Sequence, residues 1–270
     1  MSLFTNTISE KIRCQAMEIK LGVIGYGKMA HAIIQGVINN KFIENNNIYI
    51  YDKNDVVHSF NKTTSIADLL SKTNTVLIAT KPFVADEVMQ EIKKEYNNHL
   101  VMSILAGVKI QKYRSYINNI NIARIMPNTP ALVNMAASAV CGDEVAVEFA
   151  YKFMQNCGKV IKTTEDKMDI ITALSGSGPA YYYKIIELMA RSAQKLGLDY
   201  NDALLLSAQT ALGSAKMVME NDYNIDQLIK NVTTPGGCTE VGNNVLNDSD
   251  IDKIIDKTIK DTMQKAHDLG

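Results

Sequence analysis

The chain has 270 residues, of which 46% are hydrophobic and 21% are charged, and its formal net charge is −1 at pH 7. Such values are typical of a globular protein with a packed core and exclude a disordered or fibrous chain. Because positive and negative side chains balance, there is no basic surface for nucleic acid or for an anionic membrane. We therefore expect no nucleic acid and no membrane among its partners.

Four cysteines and four histidines are scattered along the chain. No Cys-x-x-Cys pair occurs, so the pattern predicts reduced thiols in a cytoplasmic protein and provides no metal site. No apolar run approaches the roughly 20 residues that a membrane span requires, and the first residues do not resemble a signal peptide. We interpret residues 1–17 as an N-terminal extension, disordered or tag-like, and leave open whether Met1 or Met17 starts the native chain.

Short apolar runs alternate with helical segments over residues 18–165, the pattern of β-α-β units on a parallel sheet. Residues 166–270 lack such runs and are rich in Ala, Leu and Met, so we expect this second domain to be all helix. The strands are predicted at Ile19–Ile24, Ile48–Tyr51, Thr75–Thr80, Leu100–Leu105, Asn121–Met126, Ala137–Cys141 and Val160–Thr163, and the long helices at Ala180–Leu196, Asp202–Glu220 and Asp250–Leu269.

The predicted helix Asp202–Glu220 has apolar side chains on more than one face. A surface helix normally shows a single apolar stripe, so this helix is expected to be buried on several sides. Since it belongs to the smaller half of the chain, the surplus predicts packing against another subunit. The residues concerned are Ala203, Leu206, Ala211, Ala215 and Met219.

A glycine-rich turn follows the first predicted strand and opens a helix; its residues are Gly25, Tyr26, Gly27, Lys28, Met29 and Ala30. Gly25 allows the tight turn, Gly27 lets the backbone approach a pyrophosphate, and the small Ala30 permits close helix packing. Asp52 ends the second strand, where an acid can accept hydrogen bonds from an adenosine ribose. The pattern predicts a dinucleotide site, with an ordinary structural turn as the alternative.

The residues at the ends of the second and later strands are further candidates for contact with the dinucleotide. Asp52 favours NADH, whereas Lys53 beside it could bind the 2′-phosphate of NADPH, and a solvated loop acid is the alternative for Asp52. Thr80-Lys81-Pro82-Phe83 and Ala106-Gly107 follow later strands, where ligands bind in open α/β sheets. An ordinary surface lysine is the alternative for Lys81.

Three later segments carry a family resemblance. They are Arg124-Ile125-Met126-Pro127-Asn128-Thr129-Pro130, Leu174-Ser175-Gly176-Ser177-Gly178-Pro179-Ala180-Tyr181 and Asn231-Val232-Thr233-Thr234-Pro235-Gly236-Gly237-Cys238-Thr239. In this order after the glycine-rich turn they closely resemble the pyrroline-5-carboxylate reductase family, from about Glu18 to near the C-terminus. The resemblance implies a Rossmann-like doubly wound α/β domain followed by an all-helical dimerisation domain. It also implies reduction of L-1-pyrroline-5-carboxylate to L-proline, the last step of proline biosynthesis, with NADPH or NADH.

The resemblance assigns roles by position. The residues Gly25 to Ala30 correspond to the pyrophosphate loop, and the remaining cofactor positions are Thr80, Lys81 and Pro82 beside the adenosine, Ala106 and Asn128 near the nicotinamide, and Asn231. The substrate pocket corresponds to Glu165, Thr234, Gly236, Gly237, Cys238 and Thr239. Thr80 and Cys238 depart from the commoner residues Val and Thr or Ala, but both are small. The resemblance further implies a homodimer through the C-terminal helices with the active site between subunits, and it leaves a larger ring of dimers open.

The segment from Pro235 to Thr239 suits a substrate that is both an imine and a carboxylate. Pro235 stops the preceding helix, and the glycines would let consecutive amides face a carboxylate. The Thr239 hydroxyl could hold the ring nitrogen, and no general acid is expected because the imine can arrive protonated. The alternatives are a helix N-cap for Thr239, an ordinary turn for the glycines, a first-turn helix acid for Glu165 and a small filler for Cys238.

Two other functions are weighed against this resemblance. A β-hydroxyacid dehydrogenase would need a lysine base after its Gly-x-Gly motif, yet Lys184 lies two residues too late, which turns it by roughly 200° around the helix. A non-catalytic dinucleotide sensor would need no substrate cradle, whereas this chain retains the residues from Pro235 to Thr239. Both alternatives are therefore disfavoured.

Overall fold

The computed structural model of the protein describes residues 18–54, 56–220 and 224–269. The extension expected at residues 1–17 lies outside this part of the chain. The chain divides into two compact units, of which the second runs from Asp169 to Asp268. The first unit comprises the residues up to Met168 together with Leu269.

The first unit is built on a sheet that has eight strands in the described residues, in the order β3-β2-β1-β4-β5-β6-β7-β8. Strands β2 and β3 lie on one side of β1, and β4 begins the other side, so the chain changes direction across the sheet between β1 and β4. The strands are β1 Leu21–Ile24, β2 Ile48–Tyr51, β3 Asn61–Lys62, β4 Thr75–Ile78, β5 Leu100–Ser103, β6 Asn121–Met126, β7 Ala136–Gly142 and β8 Gly158–Lys162.

The prediction of a parallel sheet is wrong at one pair of strands. Strands β6 and β7 run antiparallel, with Ile125 opposite Val140, while the other neighbouring pairs are parallel. The link from Met126 to Ala136 explains the reversal, because it is shorter than the dozen or so residues that a parallel crossover needs. The two-residue strand β3 was also not predicted.

Several predicted strands extend beyond the observed ones at their carboxyl ends. Strand β4 ends at Ile78 rather than Thr80, and β5 ends at Ser103 rather than Leu105. The residues past these ends have left the sheet ladder and form loops. This difference matters for function, because the carboxyl ends of parallel strands are where ligands bind in such sheets.

The helices of the first unit are α1 Lys28–Asn39, α2 Ile66–Lys72, α3 Ala85–Glu95, α4 Ile110–Tyr116 and α5 Glu144–Met154. Helix α1 buries Ala30, Ile33, Ile34 and Val37 in the same core as β1, which is buried along its whole length. A buried strand reads as a continuous apolar run, and this explains why β1 was recognisable in the sequence. The core thus holds α1 and the loop before it in place.

The second unit is helical throughout its described residues, as predicted. Its helices are α6 Met168–Ile171, which starts at the last residue of the first unit, α7 Gly178–Lys195, α8 Tyr200–Glu220, α9 Ile225–Val232, α10 Cys238–Asn247 and α11 Ile251–Asp268, with a π-helical turn at Thr172–Gly176. Helices α7 and α8 pack together, and Tyr181 shares a 2.8 Å hydrogen bond with Thr262 of α11. A sheet unit followed by an all-helical unit confirms the predicted fold class.

Few side chains of the second unit are buried within one chain. Ala203 is the buried residue of α8, whereas Leu206 is 56% exposed and Met219 is 61% exposed. The expectation that α8 is buried on several sides therefore fails within a single chain. Its apolar surface remains available to a second subunit, as the surplus of apolar residues predicts.

Candidate active site

The glycine-rich turn after β1 has the backbone that a phosphate loop requires. Gly25 has a φ of +88°, and a Cβ at this position would lie 2.9 Å from the backbone nitrogen of Thr80. Gly27 has a φ of −80°, and a Cβ there would meet no protein atom within 4 Å. Ala30 is 1% exposed and packs in the core. Gly25 thus forms the tight turn and Ala30 the close helix packing that were expected, and the space beside Gly27 is open.

Helix α1 begins at Lys28 without a side-chain cap and without an acidic residue in its first turn. Its first intrahelical hydrogen bond runs from His31 N to Gly27 O at 2.9 Å, so the amides of Lys28, Met29 and Ala30 precede the helical ladder. Such amides and the positive end of the helix dipole attract anions. The start of α1 therefore fits a pyrophosphate.

A groove of about 1070 Å³ lies at the carboxyl ends of the first unit's parallel strands. It passes the point between β1 and β4 where the strand order changes, which is where ligands bind in open α/β sheets. Its volume is at the upper end of the range for small-molecule sites. The predicted cofactor residues that line it are Gly25, Tyr26, Gly27, Lys28, Met29, Ala30, Asp52, Thr80, Lys81, Pro82 and Ala106.

Asp52 braces the phosphate loop from the end of β2. Its Oδ2 accepts a 2.7 Å hydrogen bond from Tyr26 N, and its Oδ1 accepts a 2.9 Å hydrogen bond from Asn54 N. The adjacent Lys53 Nζ lies 2.5 Å from Glu87 Oε1 across the groove lining. The sequence predicts Asp52 as a ribose acceptor, with a solvated loop acid as the alternative, and neither prediction includes its bond to the loop backbone.

Tyr26 contributes backbone rather than ring to the groove. Its side chain is 8% exposed and makes edge contacts with the rings of His31, His58 and Phe60. Because burial disfavours the phenolate, the pKa of Tyr26 is raised. The ring therefore packs beneath the loop and helps to hold the segment after β2.

The Asn128 side chain bonds to the backbone of the first unit. It is 6% exposed, and its Oδ1 accepts a 3.0 Å hydrogen bond from Ala137 N at the beginning of β7. Its neighbours Pro127 and Thr129 line the groove, but Asn128 does not. The side chain is thus used to turn the chain between β6 and β7.

Glu165 connects two other parts of the first unit, namely the start of α4 and strand β6. Its Oε1 accepts hydrogen bonds from Ile110 N at 2.7 Å and from Arg124 Nη1 at 3.2 Å. Residues 104–109 form the β5–α4 turn, and Ala106 within it lines the groove. The sequence alone does not indicate the contact of Arg124 with Glu165, because residues so distant along the chain leave no local pattern.

In the second unit, the segment from Thr234 to Thr239 links α9 to α10. Gly236 has a φ of +74°, its amide donates to Glu240 Oε2 at 2.7 Å, and the Gly237 amide donates to Thr234 O at 2.9 Å. Both glycine amides, which were expected to face a substrate carboxylate, thus donate to acceptors within the chain. The amides that precede the ladder of α10 are those of its first turn, beginning at Cys238.

Thr239 is the second residue of α10 and is exposed. The N-cap of this helix is Gly237, so the alternative interpretation of Thr239 as the N-cap is wrong. Cys238, the first helical residue, is an exposed free thiol. Asn231 lies in α9, where its Oδ1 accepts a 2.8 Å hydrogen bond from Gln227 Nε2.

The described residues were expected to hold neither a metal site nor a membrane span. Within residues 18–54, 56–220 and 224–269, no group of three or more His, Cys, Asp or Glu side chains could hold a metal ion. In the same part of the chain, no helix is long and apolar enough to cross a membrane.

Comparison with known proteins decides the family. Residues 165–269 match the family model described as pyrroline-5-carboxylate reductase dimerisation, and residues 20–107 match the model described as NADP oxidoreductase, coenzyme F420-dependent. Pyrroline-5-carboxylate reductase 2 of Bacillus subtilis is 31% identical over 266 residues, covering 93% of this chain and 95% of that protein. The chain belongs to the pyrroline-5-carboxylate reductase family. The resemblance read from the three sequence segments is thereby confirmed.

Two further relatives support the assignment to the pyrroline-5-carboxylate reductases. The Arabidopsis thaliana enzyme is 34% identical over 239 residues, covering 84% of this chain and 87% of that protein. The crystal structure of Plasmodium falciparum pyrroline carboxylate reductase with NADP bound has a TM-score of 0.86 and 31% identity, covering 94% of this chain and 100% of that one. As a member of this family, the chain is an NAD(P)H-dependent oxidoreductase with a Rossmann-like domain.

Proposed function

We propose that this chain reduces L-1-pyrroline-5-carboxylate to L-proline, with NADPH or NADH as the reductant. One observation carries the proposal: this reductase-family chain has both a groove with a phosphate loop and a helix, α10, that begins at Cys238 and Thr239 without a side-chain cap. The groove suits a dinucleotide, and the helix start suits a small carboxylate next to a hydroxyl. The reaction requires both.

On the cofactor side, the first-turn amides of α1 bind the pyrophosphate, and Asp52 keeps the loop in place through its bond to Tyr26 N. Thr80, Lys81 and Pro82 form the wall beside the adenosine, and Ala106 lines the other end. The reduced nicotinamide supplies the hydride for the C=N bond. Asn128 keeps its proposed place near this end, acting through the turn that it stabilises, and Asn231 is proposed as a further cofactor contact.

On the substrate side, the amides of Cys238 and Thr239 bind the carboxylate at the positive end of α10. The Thr239 hydroxyl then accepts from, or donates to, the ring nitrogen and so orients the imine. Gly236, Gly237 and Thr234 shape the turn, since a Cβ at Gly237 would lie 2.5 Å from Thr234 Oγ1. We place Glu165 beside the substrate pocket as well, in line with the family resemblance.

We also propose the domain organisation and the assembly. Residues 18–165 form the dinucleotide domain and residues 166–270 the helical domain, which forms a homodimer and contributes the substrate loop to the partner's site. The match to the dimerisation model and the exposed apolar residues of α8 support this assembly. A larger ring of dimers is proposed as its extension. We place the enzyme in the cytoplasm because Cys141, Cys157 and Cys238 are free thiols.

The test is an absorbance assay of NADPH and NADH oxidation by the purified protein with L-1-pyrroline-5-carboxylate. Rapid oxidation with proline as the product is expected. Parallel assays with 3-hydroxyacids and NAD⁺ or NADP⁺ address a β-hydroxyacid dehydrogenase, and dinucleotide binding without any turnover would indicate a sensor. Either of these results in place of imine reduction would contradict the proposal.

A further inference from the structure

Arg124 is the largest fully buried side chain of the described residues and has no role in the mechanism above. It lies in β6, in register with Ser103 on β5 and with Cys141 on β7, and it is 1% exposed. A guanidinium carries a permanent charge, and burying a charge is costly unless it is paired. A buried arginine in β6 therefore needs a negatively charged partner.

Among the described residues, Glu165 is the charged partner of Arg124, at 3.2 Å. Nε and Nη2 of Arg124 have no hydrogen-bond partner in the described chain. Two other ionisable groups are close, but burial raises the pKa of Tyr113 to about 12 and that of Cys141 to about 11. Both are neutral near pH 7, so Glu165 provides the counter-charge.

The same Glu165 oxygen that meets Arg124 also accepts the 2.7 Å hydrogen bond from Ile110 N, the first amide of α4. The N-cap of α4 is Lys109, which provides no side-chain cap. Glu165 thus supplies the missing cap from a distant part of the chain, and a carboxylate is favoured at this end of a helix. It fixes the point at which the β5–α4 turn joins α4.

The β5–α4 turn is fixed at its start, where Ile104 N donates to Ile78 O at 3.1 Å and Leu105 N donates to Ser103 Oγ at 3.3 Å. Its other end is fixed at Ile110 N by Glu165. Gly107 within the turn has a φ of +77°, a region that residues other than glycine rarely adopt. Ala106 precedes it and lines the groove at the end of β5. A turn released at Ile110 would move the wall that faces the reacting end of the cofactor.

We propose that Arg124 is a positioning residue of the reductase: it fixes the carboxylate of Glu165, which caps α4 and so holds the β5–α4 turn against the cofactor groove. The proposal rests on the reductase function proposed above and deepens it. Arg124 does not line the groove, so its effect is exerted through Glu165. Its removal should alter the position of the turn more than the fold as a whole.

The experiment compares Arg124→Met with the wild type in two measurements. The kcat/KM for L-1-pyrroline-5-carboxylate should fall roughly 10- to 100-fold, the range for losing one hydrogen bond to a charged group, with the NADPH Kd near the wild-type value. Hydrogen exchange measured without substrate should accelerate in residues 104–112 but not in residues 24–39. Arg124→Lys, which retains the charge, should recover part of both effects.

The matched control is Arg114→Met, which removes a different ion pair from α4, the helix that Glu165 caps. Arg114 pairs with Asp143 at 2.6 Å, but it is 41% exposed and does not reach Glu165. This variant should retain the wild-type kcat/KM and the wild-type exchange of residues 104–112. An equal loss of activity in Arg114→Met would mean that losing any ion pair near α4 has the same effect, and it would overturn the proposal.

Other outcomes are equally decisive. Wild-type kcat/KM in Arg124→Met, or exchange accelerated uniformly over the sheet, would reduce Arg124 to a structural residue and overturn the proposal. If Arg124→Met does not fold, Glu165→Gln replaces it, and unchanged exchange of residues 104–112 in that variant would also overturn it. A wild-type enzyme inactive on pyrroline-5-carboxylate would instead contradict the proposed function, while the exchange measurements would still test the anchor.

Discussion

The two glycines of the phosphate loop should respond to alanine in opposite ways. At Gly25 the φ is +88°, and a Cβ would lie 2.8 Å from Thr80 Cγ2 and 2.9 Å from Thr80 N. At Gly27 the φ is −80°, and a Cβ would meet no protein atom within 4 Å. Gly25→Ala therefore strains the folded chain, whereas Gly27→Ala intrudes only on the space that a bound pyrophosphate would occupy.

The magnitude for Gly25→Ala follows from its conformation. A left-handed backbone costs an L-residue about 1–2 kcal/mol, and the contact with the Thr80 backbone adds to this cost because the loop after β4 would have to shift. A destabilisation of this size lowers the Tm of a domain of 150 to 250 residues by roughly 2–8 °C. Thermal unfolding should be followed at one fixed protein concentration, since the Tm of an oligomer depends on it.

Gly27→Ala should unfold at the wild-type temperature and yet bind NADPH at least about tenfold more weakly, which corresponds to about 1.4 kcal/mol. The Kd is measured by titrating the fluorescence of NADPH, with the thermal unfolding curve of the same variant as its control. A wild-type Kd in Gly27→Ala would refute the assignment of this loop to the pyrophosphate. A wild-type Tm in Gly25→Ala would refute the argument from strain.

Three further predictions concern the substrate, the cofactor and the assembly. Thr239→Ala should lower kcat/KM for pyrroline-5-carboxylate roughly 10- to 1000-fold, as loss of one oriented catalytic donor does, with cofactor affinity and Tm unchanged because Gly237 caps α10; an unchanged kcat/KM would remove the hydroxyl from the imine. NADH should be used at least as well as NADPH, and Asp52→Ser should shift the kcat/KM ratio towards NADPH by about tenfold, on the order of 1.4 kcal/mol. Asp52→Asn, which keeps an acceptor for the Tyr26 amide, is the control, and a constant ratio in both variants would place the preference elsewhere. The enzyme should sediment as a dimer whose Tm rises with concentration, and a stable, active monomer at assay concentrations would contradict the shared site.

The sequence was sufficient for features that depend on local pattern. Strands β2 and β6 have their predicted bounds, because both are short and rich in apolar residues, and Pro127 follows the end of β6. The phosphate loop was recognisable because only glycine adopts φ +88° at Gly25 and tolerates the approach of a ligand at Gly27. Such features need no knowledge of the rest of the fold.

Features that depend on distant contacts were missed. The Arg124–Glu165–Ile110 contacts join three different parts of the chain, and nothing in the neighbourhood of any one residue indicates the other two. The bond from Asp52 to the Tyr26 amide is of the same kind. The antiparallel direction of β7, in contrast, is predictable from the sequence, because the link after β6 is too short for a parallel crossover.

The scarcity of buried side chains in the second unit also has a consequence for how the enzyme is made in the cell. The buried residues of α7, α8 and α11 are small, namely Gly178, Ala190, Ala203 and Ala266. Such residues bury too little apolar area to offset the entropy of ordering these helices. Final folding of a newly synthesised chain should therefore wait for an encounter with a second chain, and refolding after denaturant dilution should contain a step whose rate rises with protein concentration. A subunit that folds but cannot catalyse would then be captured into mixed dimers and would reduce the activity of its wild-type partners.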